Sequence, residues 1–136
     1  LDVDRVIHTG DITQAKTIDV FSSLDAPMLG VFGNNDKERE SLNAAIDRHD
    51  FHFIDPPLEL SWAGRNLVVV HDPLELDSVD CRGYDVILHG HTHLETIEFV
   101  DSQLTFNPGE SAGMMAGHNS IGLLDLISLE LEVIKF

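Results

Sequence analysis

The chain has 136 residues, 43% of them hydrophobic, which is enough for one domain with a buried core. No apolar run is long enough to cross a bilayer and no signal-peptide pattern opens the sequence, so we expect a cytoplasmic protein without membrane association. The 24 acidic residues against 8 Lys and Arg give a formal net charge of −16, and such a surface repels nucleic-acid phosphates.

The acidic residues are spread along the chain and are not collected in a tail. An acidic, lysine-poor surface is typical of proteins from salt-loving organisms, in which salt screens the self-repulsion. An ordinary acidic cytosolic protein is the alternative. The halophilic interpretation predicts that stability rises as salt is added to dilute buffer. Cys81 is the single cysteine, so neither an internal disulfide nor a cysteine-rich zinc site is expected.

The first part of the chain alternates predicted strands and helices. Apolar strands are predicted at 6–8, 28–32 and 51–54, with helices that begin near Thr13 and after Asp36. Near-continuous apolar strands separated by helices indicate a parallel sheet that is covered on both faces.

The later part of the chain is predicted to be antiparallel. A hairpin turns at Ala63-Gly64, a connecting segment with one short helix spans 74–82, and a strand at 84–89 leads to a second hairpin. The last predicted elements are the second hairpin at 95–100 and 103–106, a loop at 107–118, and a strand pair at 120–126 and 128–136. We therefore predict one α/β domain over residues 1–136, with two packed mixed β-sheets flanked by helices in an αββα sandwich.

The first predicted strand, Val6-Ile7-His8, comes almost at once. A parallel partner that precedes it would need another strand and a crossover of roughly a dozen residues. We therefore expect this sequence to be a shortened form of a longer natural protein, which carries a further strand at its N-terminus.

Four of the apolar strands end at residues that can bind a metal ion. These residues are Asp11, Asn34, His71, and the pair His91 and His93. Ligands of open α/β sheets bind outside the carboxyl ends of the strands, so these side chains are expected to converge. Imidazole, carboxylate and amide groups without a thiolate suit manganese, iron, zinc or nickel.

The run Gly90-His91-Thr92-His93 follows a buried strand. If the backbone is extended there, side chains alternate with a period of two and both imidazoles point the same way. A glycine lets the chain leave the strand sharply, and each neutral ring can donate a lone pair to a divalent ion.

Other interpretations apply to each residue taken singly. Asp11 can cap the helix that begins near Thr13, and Asn35 with Glu38 three residues later fits a capping arrangement. His71 can be a structural histidine at a strand end. His8 and His89 are expected to contact the core or the surroundings of the metal ligands.

Four motifs in one order resemble those of the calcineurin-like metallophosphoesterases. The sequence is most similar to the small single-domain archaeal and bacterial phosphodiesterases. The similarity also covers the two C-terminal strands, so it spans nearly the whole chain. The four motifs are Gly10-Asp11, Gly33-Asn34-Asn35-Asp36, His71 and Gly90-His91-Thr92-His93, and the similarity extends to Asn107-Pro108-Gly109-Glu110.

The resemblance implies a role for each candidate ligand. Asp11 would bridge two metal ions, Asn34, His71 and His91 would complete the second site, and His93 would belong to the first. The family supplies the rest of the first site from an Asp-x-His motif that is absent from this sequence.

The resemblance also implies the reaction, which is hydrolysis of phosphodiesters, or of monoesters, by a hydroxide that bridges the two metal ions. Two divalent ions are expected in the complete protein, Mn²⁺ first, with Ni²⁺, Fe²⁺ or Zn²⁺ as alternatives. The expected partner is a small phosphate ester and no nucleic acid, and relatives indicate a homodimer.

The sequence departs from the family at two further positions. Asn35 stands where many members carry a histidine that protonates the leaving group. His71-Asp72-Pro73 replaces the frequent His-Gly-His, so Asp72 adds negative charge near an anionic substrate.

Two other functions are open. A non-catalytic interaction module on the same fold, similar to the family's retromer subunit, is favoured by the incomplete first metal site. A hydrolase of the metallo-β-lactamase type also uses His-x-His, but it needs a following Asp-His that Leu94-Glu95-Thr96 does not supply.

Overall fold

The computed structural model describes residues 1–136 as ten strands, two α-helices and three short 3₁₀ turns. The first half contains β1 (Val6–His8), α1 (Ala15–Val20), β2 (Met28–Val31), α2 (Arg39–Arg48), β3 (His52–Ile54), β4 (Leu58–Trp62) and β5 (Arg65–Val69). The second half contains β6 (Val86–Leu88), β7 (Thr96–Val100), β8 (Gln103–Asn107), β9 (Ser120–Leu124) and β10 (Leu131–Lys135). No helix among them has the length and apolar character needed to span a lipid bilayer.

The strands form a parallel sheet, a mixed sheet and a separate antiparallel pair. The parallel sheet has the order β1-β2-β3, and the mixed sheet has the order β4-β5-β6-β8-β7. Within the mixed sheet, β5, β6 and β8 run parallel, while β4 and β7 are antiparallel edges. The predicted α/β class is confirmed, with β9 and β10 as the third, smaller sheet.

Apolar side chains stack these elements in layers. The two helices bury Ile18 and Leu42 against the outer face of the parallel sheet. Val31 of β2 and Val69 of β5 meet in a core between the two large sheets. On the far face of the mixed sheet, Val68, Val70 and Ile87 pack against a partly buried set, Leu76, Val79, Cys81 and Tyr84.

Both helices begin differently from the prediction. The N-cap positions are Gln14 for α1 and Glu38 for α2, and neither makes a side-chain cap hydrogen bond. The alternative interpretation of Asp11 and Asn35 as helix caps is therefore wrong, because these two side chains hydrogen-bond each other instead. The short helix predicted within 74–82 is a pair of 3₁₀ turns, Pro73–Ser78 and Cys81–Gly83.

The ends of β1, β2, β5 and β6 carry the candidate ligands. The strands of each parallel set point the same way, so the segments that follow them emerge at one edge. The backbone ties these segments together, since the Gly90 amide donates to the His71 carbonyl at 3.0 Å.

Candidate metal centre

Four side chains from the strand ends converge on one point. The Asn34 Oδ1 atom lies 2.9 Å from His71 Nε2 and 3.1 Å from His91 Nδ1. The two ring nitrogens are 3.1 Å apart, and Asp11 Oδ2 is 3.5 Å from His71 Nε2. The structure thus brings together four of the five side chains that the sequence singled out.

The chemistry of these atoms fits a cation. His71 Nδ1 is 2.8 Å from the Thr9 carbonyl, which can only accept, so Nδ1 carries a proton; in the neutral form of the ring, Nε2 then presents a lone pair. That lone pair faces the Asn34 oxygen, which is also an acceptor, and the Asp11 carboxylate lies beside it. Several acceptors that face one another need a positive charge between them.

The spacing also suits a metal ion. Nitrogen and oxygen ligands bind Zn²⁺ at about 2.0 to 2.2 Å, which places neighbouring ligand atoms roughly 3 to 3.5 Å apart. Carboxylate, imidazole and thiolate groups alone form no set of three suitable for a metal anywhere in the chain. The Asn34 amide oxygen adds a fourth polar atom, which contacts both His71 and His91.

Asp36 organises the centre, although the sequence pattern indicated only that it ends the motif before the second predicted helix. Its carboxylate accepts backbone N–H bonds from Asp11 at 2.9 Å, Thr13 at 2.7 Å and Gly33 at 2.6 Å, and the residue is only 3% exposed. It therefore ties the turn after β1 to the turn after β2. The sequence feature that could have pointed to this role is the position of Asp36 at the end of the Gly33–Asp36 motif.

Asn35 holds the carboxylate of Asp11. Its backbone N–H donates to Asp11 Oδ1 and its side-chain amide donates to Oδ2, both at 2.8 Å. These two bonds fix the orientation of the carboxylate beside His71.

Two glycines allow the turns to approach this closely. A Cβ on Gly33 would collide with the Asp11 carboxylate and lie 2.8 Å from His71 Cε1. Gly10 has φ of +101°, and a Cβ there would lie 2.5 Å from His71 Nδ1. Any side chain at these positions would displace candidate ligands.

The Gly90–His93 turn is not extended, so the condition under which both imidazoles were expected to point the same way is not met. His91 has φ of 62° and His93 has φ of 59°, both in the left-handed region. Asp11, at 59°, and Thr13, at 64°, share this conformation. Such residues cost about 1–3 kcal/mol each and cluster at functional sites.

His93 consequently lies outside the four-residue cluster. Its Nδ1 atom is 2.6 Å from Glu110 Oε2, and its side chain is 59% exposed. A polar cavity of about 280 Å³ adjoins this pair, and its lining includes Glu95, His118, Ser120 and Lys135.

Two other histidines near the centre stay neutral near pH 7. Burial lowers the pKa of His8 to about 4, against the opposing charges of Asp36 and Asp11. Its ring packs beside Phe21 and Phe53, and its Nδ1 atom accepts the Gly10 N–H at 3.2 Å. Burial likewise lowers the pKa of His89.

Comparison with known proteins identifies similar sequences. The profile of the calcineurin-like phosphoesterase superfamily domain matches residues 1–128. The chain is 34% identical to phosphodiesterase MJ0936 of Methanocaldococcus jannaschii over 129 residues, which cover 91% of this chain and 77% of that protein.

Solved structures show the same architecture. The structure of an archaeal phosphodiesterase superimposes with a TM-score of 0.85 at 33% identity, covering 98% of this chain and 84% of that one. A variant of Vps29 from Entamoeba histolytica superimposes with a TM-score of 0.68 at 17% identity, covering 100% and 84%, which shows a shared fold alone.

Proposed function

Since this chain belongs to the calcineurin-like phosphoesterase superfamily, we propose that it is a metal-dependent phosphodiesterase. Membership of this family and similarity to a named phosphodiesterase support hydrolase activity. The convergence of Asp11, Asn34, His71 and His91 on one point is the observation that carries the metal-dependent part of the proposal.

In this proposal Asp11, Asn34, His71 and His91 hold one divalent ion, and His93 contributes to a second. Manganese is the proposed ion, and the same ligand types also accept nickel, iron or zinc. When bound, such ions lower the pKa of water and neutralise the charge that develops on the phosphoryl oxygens.

The residues of the chain prepare this centre. The Thr9 carbonyl fixes the tautomer of His71, and Asn35 fixes the carboxylate of Asp11. Asp36 holds the turns that carry Asp11 and Gly33, so no large movement of the backbone is needed before binding. Such preorganisation lowers the cost of reaching the reactive geometry.

Relatives with a histidine at the position of Asn35 can use it to protonate the leaving group, whereas this chain lacks a proton donor there. An amide does not release a proton, and its N–H groups already donate to Asp11. We therefore expect diesters with acidic leaving alcohols to be hydrolysed faster than those with simple alkyl alcohols.

The proposal is tested with a chromogenic phosphodiester and the purified protein. We expect hydrolysis that EDTA abolishes and Mn²⁺ restores, and a loss of more than 100-fold in kcat/KM for His91→Ala. The control is His52→Ala, which changes an exposed histidine of β3 that makes no side-chain contact with the cluster. Unchanged hydrolysis in His91→Ala would exclude the proposed role of this residue.

A non-catalytic interaction module is the second candidate. The position of His93 outside the cluster favours it, because only one complete set of ligands is then assembled. The shared fold with Vps29 is compatible with it. A module of this kind would hydrolyse no diester with any added metal, whereas the phosphodiesterase would.

We further propose that the protein is adapted to high salt, on the basis of its net charge of −16. Screening reduces repulsion between the exposed carboxylates, so the melting temperature should rise as KCl is added to dilute buffer. A melting temperature that stays constant or falls across the titration would contradict this adaptation.

A further inference from the structure

We infer that Asp72 and Glu110 are positioning residues for the metal centre. Each carboxylate faces one ring nitrogen of a candidate histidine ligand, and the opposite nitrogen of that ring is left for a metal ion. The inference rests on the metal site of the proposed function, and it assigns a role to two acidic residues outside the ligand set.

The clearest case is His91. Its Nδ1 atom lies 3.1 Å from both Asn34 Oδ1 and His71 Nε2, inside the cluster. Its Nε2 atom, on the other side of the ring, is 3.4 Å from Asp72 Oδ2. A carboxylate at this ion-pair distance favours the proton on Nε2, and in that tautomer Nδ1 presents its lone pair to the cluster.

The other two histidines repeat the arrangement with different partners. His71 Nδ1 donates to the Thr9 carbonyl at 2.8 Å, and His93 Nδ1 lies 2.6 Å from Glu110. In both rings this leaves Nε2 as the nitrogen with a free lone pair. Each of the three candidate histidines therefore has a protein acceptor on one nitrogen and a potential ligand atom on the other.

Asp72 also caps a 3₁₀ turn, but its two oxygens have separate contacts. Oδ1 accepts the Leu74 N–H at 2.9 Å, and Oδ2 is the atom that faces His91. Asp80 provides a comparison, because it caps the next 3₁₀ turn through the Arg82 N–H and pairs with the Arg82 side chain. Capping alone does not require a carboxylate oxygen directed at a histidine.

Glu110 is the anchored member of the second pair. Its carbonyl accepts the Ser120 N–H at 2.7 Å, which fixes its backbone beside β9. Its side chain is 24% exposed, against 59% for His93. The carboxylate therefore orients the more exposed imidazole.

The test is calorimetric titration of Zn²⁺ and of Mn²⁺ into the metal-free protein and its Asp72→Asn variant. Asparagine keeps an oxygen that can cap the turn but removes the charge, so the melting temperature of the metal-free variant should stay close to that of the unsubstituted protein. We expect the Kd for metal to rise 10- to 100-fold, the usual effect of losing such a partner.

Asp80→Asn is the matched control, since it removes the same charge from a cap that contacts no histidine. Titrations in about 1 M salt, where the Debye length is roughly 3 Å, distinguish the direct contact of Asp72 with His91 from the long-range effect of its negative charge on the metal ion. In the zinc-loaded protein, the ring N–H of His91 that faces Asp72 should also give a downfield proton resonance that Asp72→Asn shifts or removes.

Glu110→Gln is the second variant, with Glu95→Gln as its control because Glu95 pairs with Lys135 and not with a histidine. A Kd within twofold of the unsubstituted value in both Asp72→Asn and Glu110→Gln would overturn the inference. A lowered melting temperature of Asp72→Asn with unchanged Kd would show a capping role only. Metal binding without diester hydrolysis would contradict the proposed function and leave the positioning roles intact.

Discussion

The two sides of the candidate centre differ in how firmly they are held. On the side of the four-residue cluster, Asp36 and His71 are 3% and 2% exposed, and hydrogen bonds link them to backbone from several segments. On the side of His93, one ion pair with Glu110 fixes an imidazole that is 59% exposed. The turns that carry Asp11 and His71 are thus built into the fold, although the Asn34 and His91 side chains are exposed, whereas His93 depends on a single contact.

The origin of this difference is the topology. Asp11, Asn34 and His71 follow parallel strands of the two large sheets, so the sheets fix where their turns emerge. The loop beyond Glu110 is exposed, with Met114 at 82%, and it packs against no core cluster. The firmer side is therefore the one whose turns are hydrogen-bonded to one another, whereas His93 is held by a residue beside an exposed loop.

Among the substitutions that test this difference, Asp36→Ala should lower the stability of the protein most. Asp36→Ala leaves three buried or partly buried N–H groups without their charged acceptor, and we expect a loss of about 4 kcal/mol in the free energy of unfolding. Urea denaturation measures this loss. Asp55→Ala is the control, since that side chain is 77% exposed and should change stability by less than about 0.5 kcal/mol. Similar losses in both variants would remove the distinction between the two sides.

Gly33→Ala should have the next largest effect. The added methyl group would meet the Asp11 carboxylate, the Asp11 backbone nitrogen at 2.6 Å and His71 at 2.8 Å. Overpacking of this kind costs about 2–3 kcal/mol and displaces two candidate ligands, so weaker metal binding should accompany the lower melting temperature. Gly83→Ala, which has open space around its Cβ position, should change stability by less than about 0.5 kcal/mol. Equal melting temperatures for the two variants would refute the close approach at Gly33.

His8, which packs beside Phe21 and Phe53, makes the stability of the firmer side depend on pH. Its folded pKa of about 4 lies below the ordinary 6.5, so the unfolded chain binds more protons between these values. The stabilisation is therefore complete above pH 6.5 and is lost as the pH falls toward 4. In the metal-free protein, we expect His8 to lower the free energy of unfolding by about 2 kcal/mol between pH 7 and pH 5.

Urea denaturation at several pH values tests the role of His8. In His8→Gln, the free energy of unfolding should change less with pH. Some pH dependence should remain, because burial also lowers the pKa of His89. His52→Gln, at an exposed position, should keep the slope of the unsubstituted protein. An unchanged slope in His8→Gln would assign the pH dependence to other groups.

The sequence predicted the parts of the centre that depend on strand ends. The predicted strands before Asp11, Asn34, His71 and His91 exist, and parallel pairing explains why residues distant in sequence converge. The conformation of the Gly90–His93 turn was not predictable from the pattern, because positive φ at histidine is imposed by tertiary contacts. Asn107 illustrates such a contact, with its buried amide donating to Gly90 and Thr92.

The contacts of Asn35 and Asp36 were not predictable for a related reason. Short polar residues before a helix are common caps, so the local pattern favoured a cap at Asn35. On the Asp11 turn, the partner of Asn35 lies 24 residues away and that of Asp36 lies 25 residues away, and a local pattern carries no information about such contacts. The sequence therefore identified the candidate ligands more readily than the residues that hydrogen-bond to the turns carrying those ligands.

The smallest effect is expected on the exposed side. Exposed ion pairs contribute about 0 to 1 kcal/mol, so His93→Gln and Glu110→Gln should each change the stability of the metal-free protein by less than about 1 kcal/mol. A double-mutant cycle in urea should give a coupling energy of the same size. A coupling above about 2 kcal/mol would mean that this pair is as firmly built in as the four-residue cluster. Small coupling together with a large loss of metal affinity would show that the contact matters for the bound state and little for the fold.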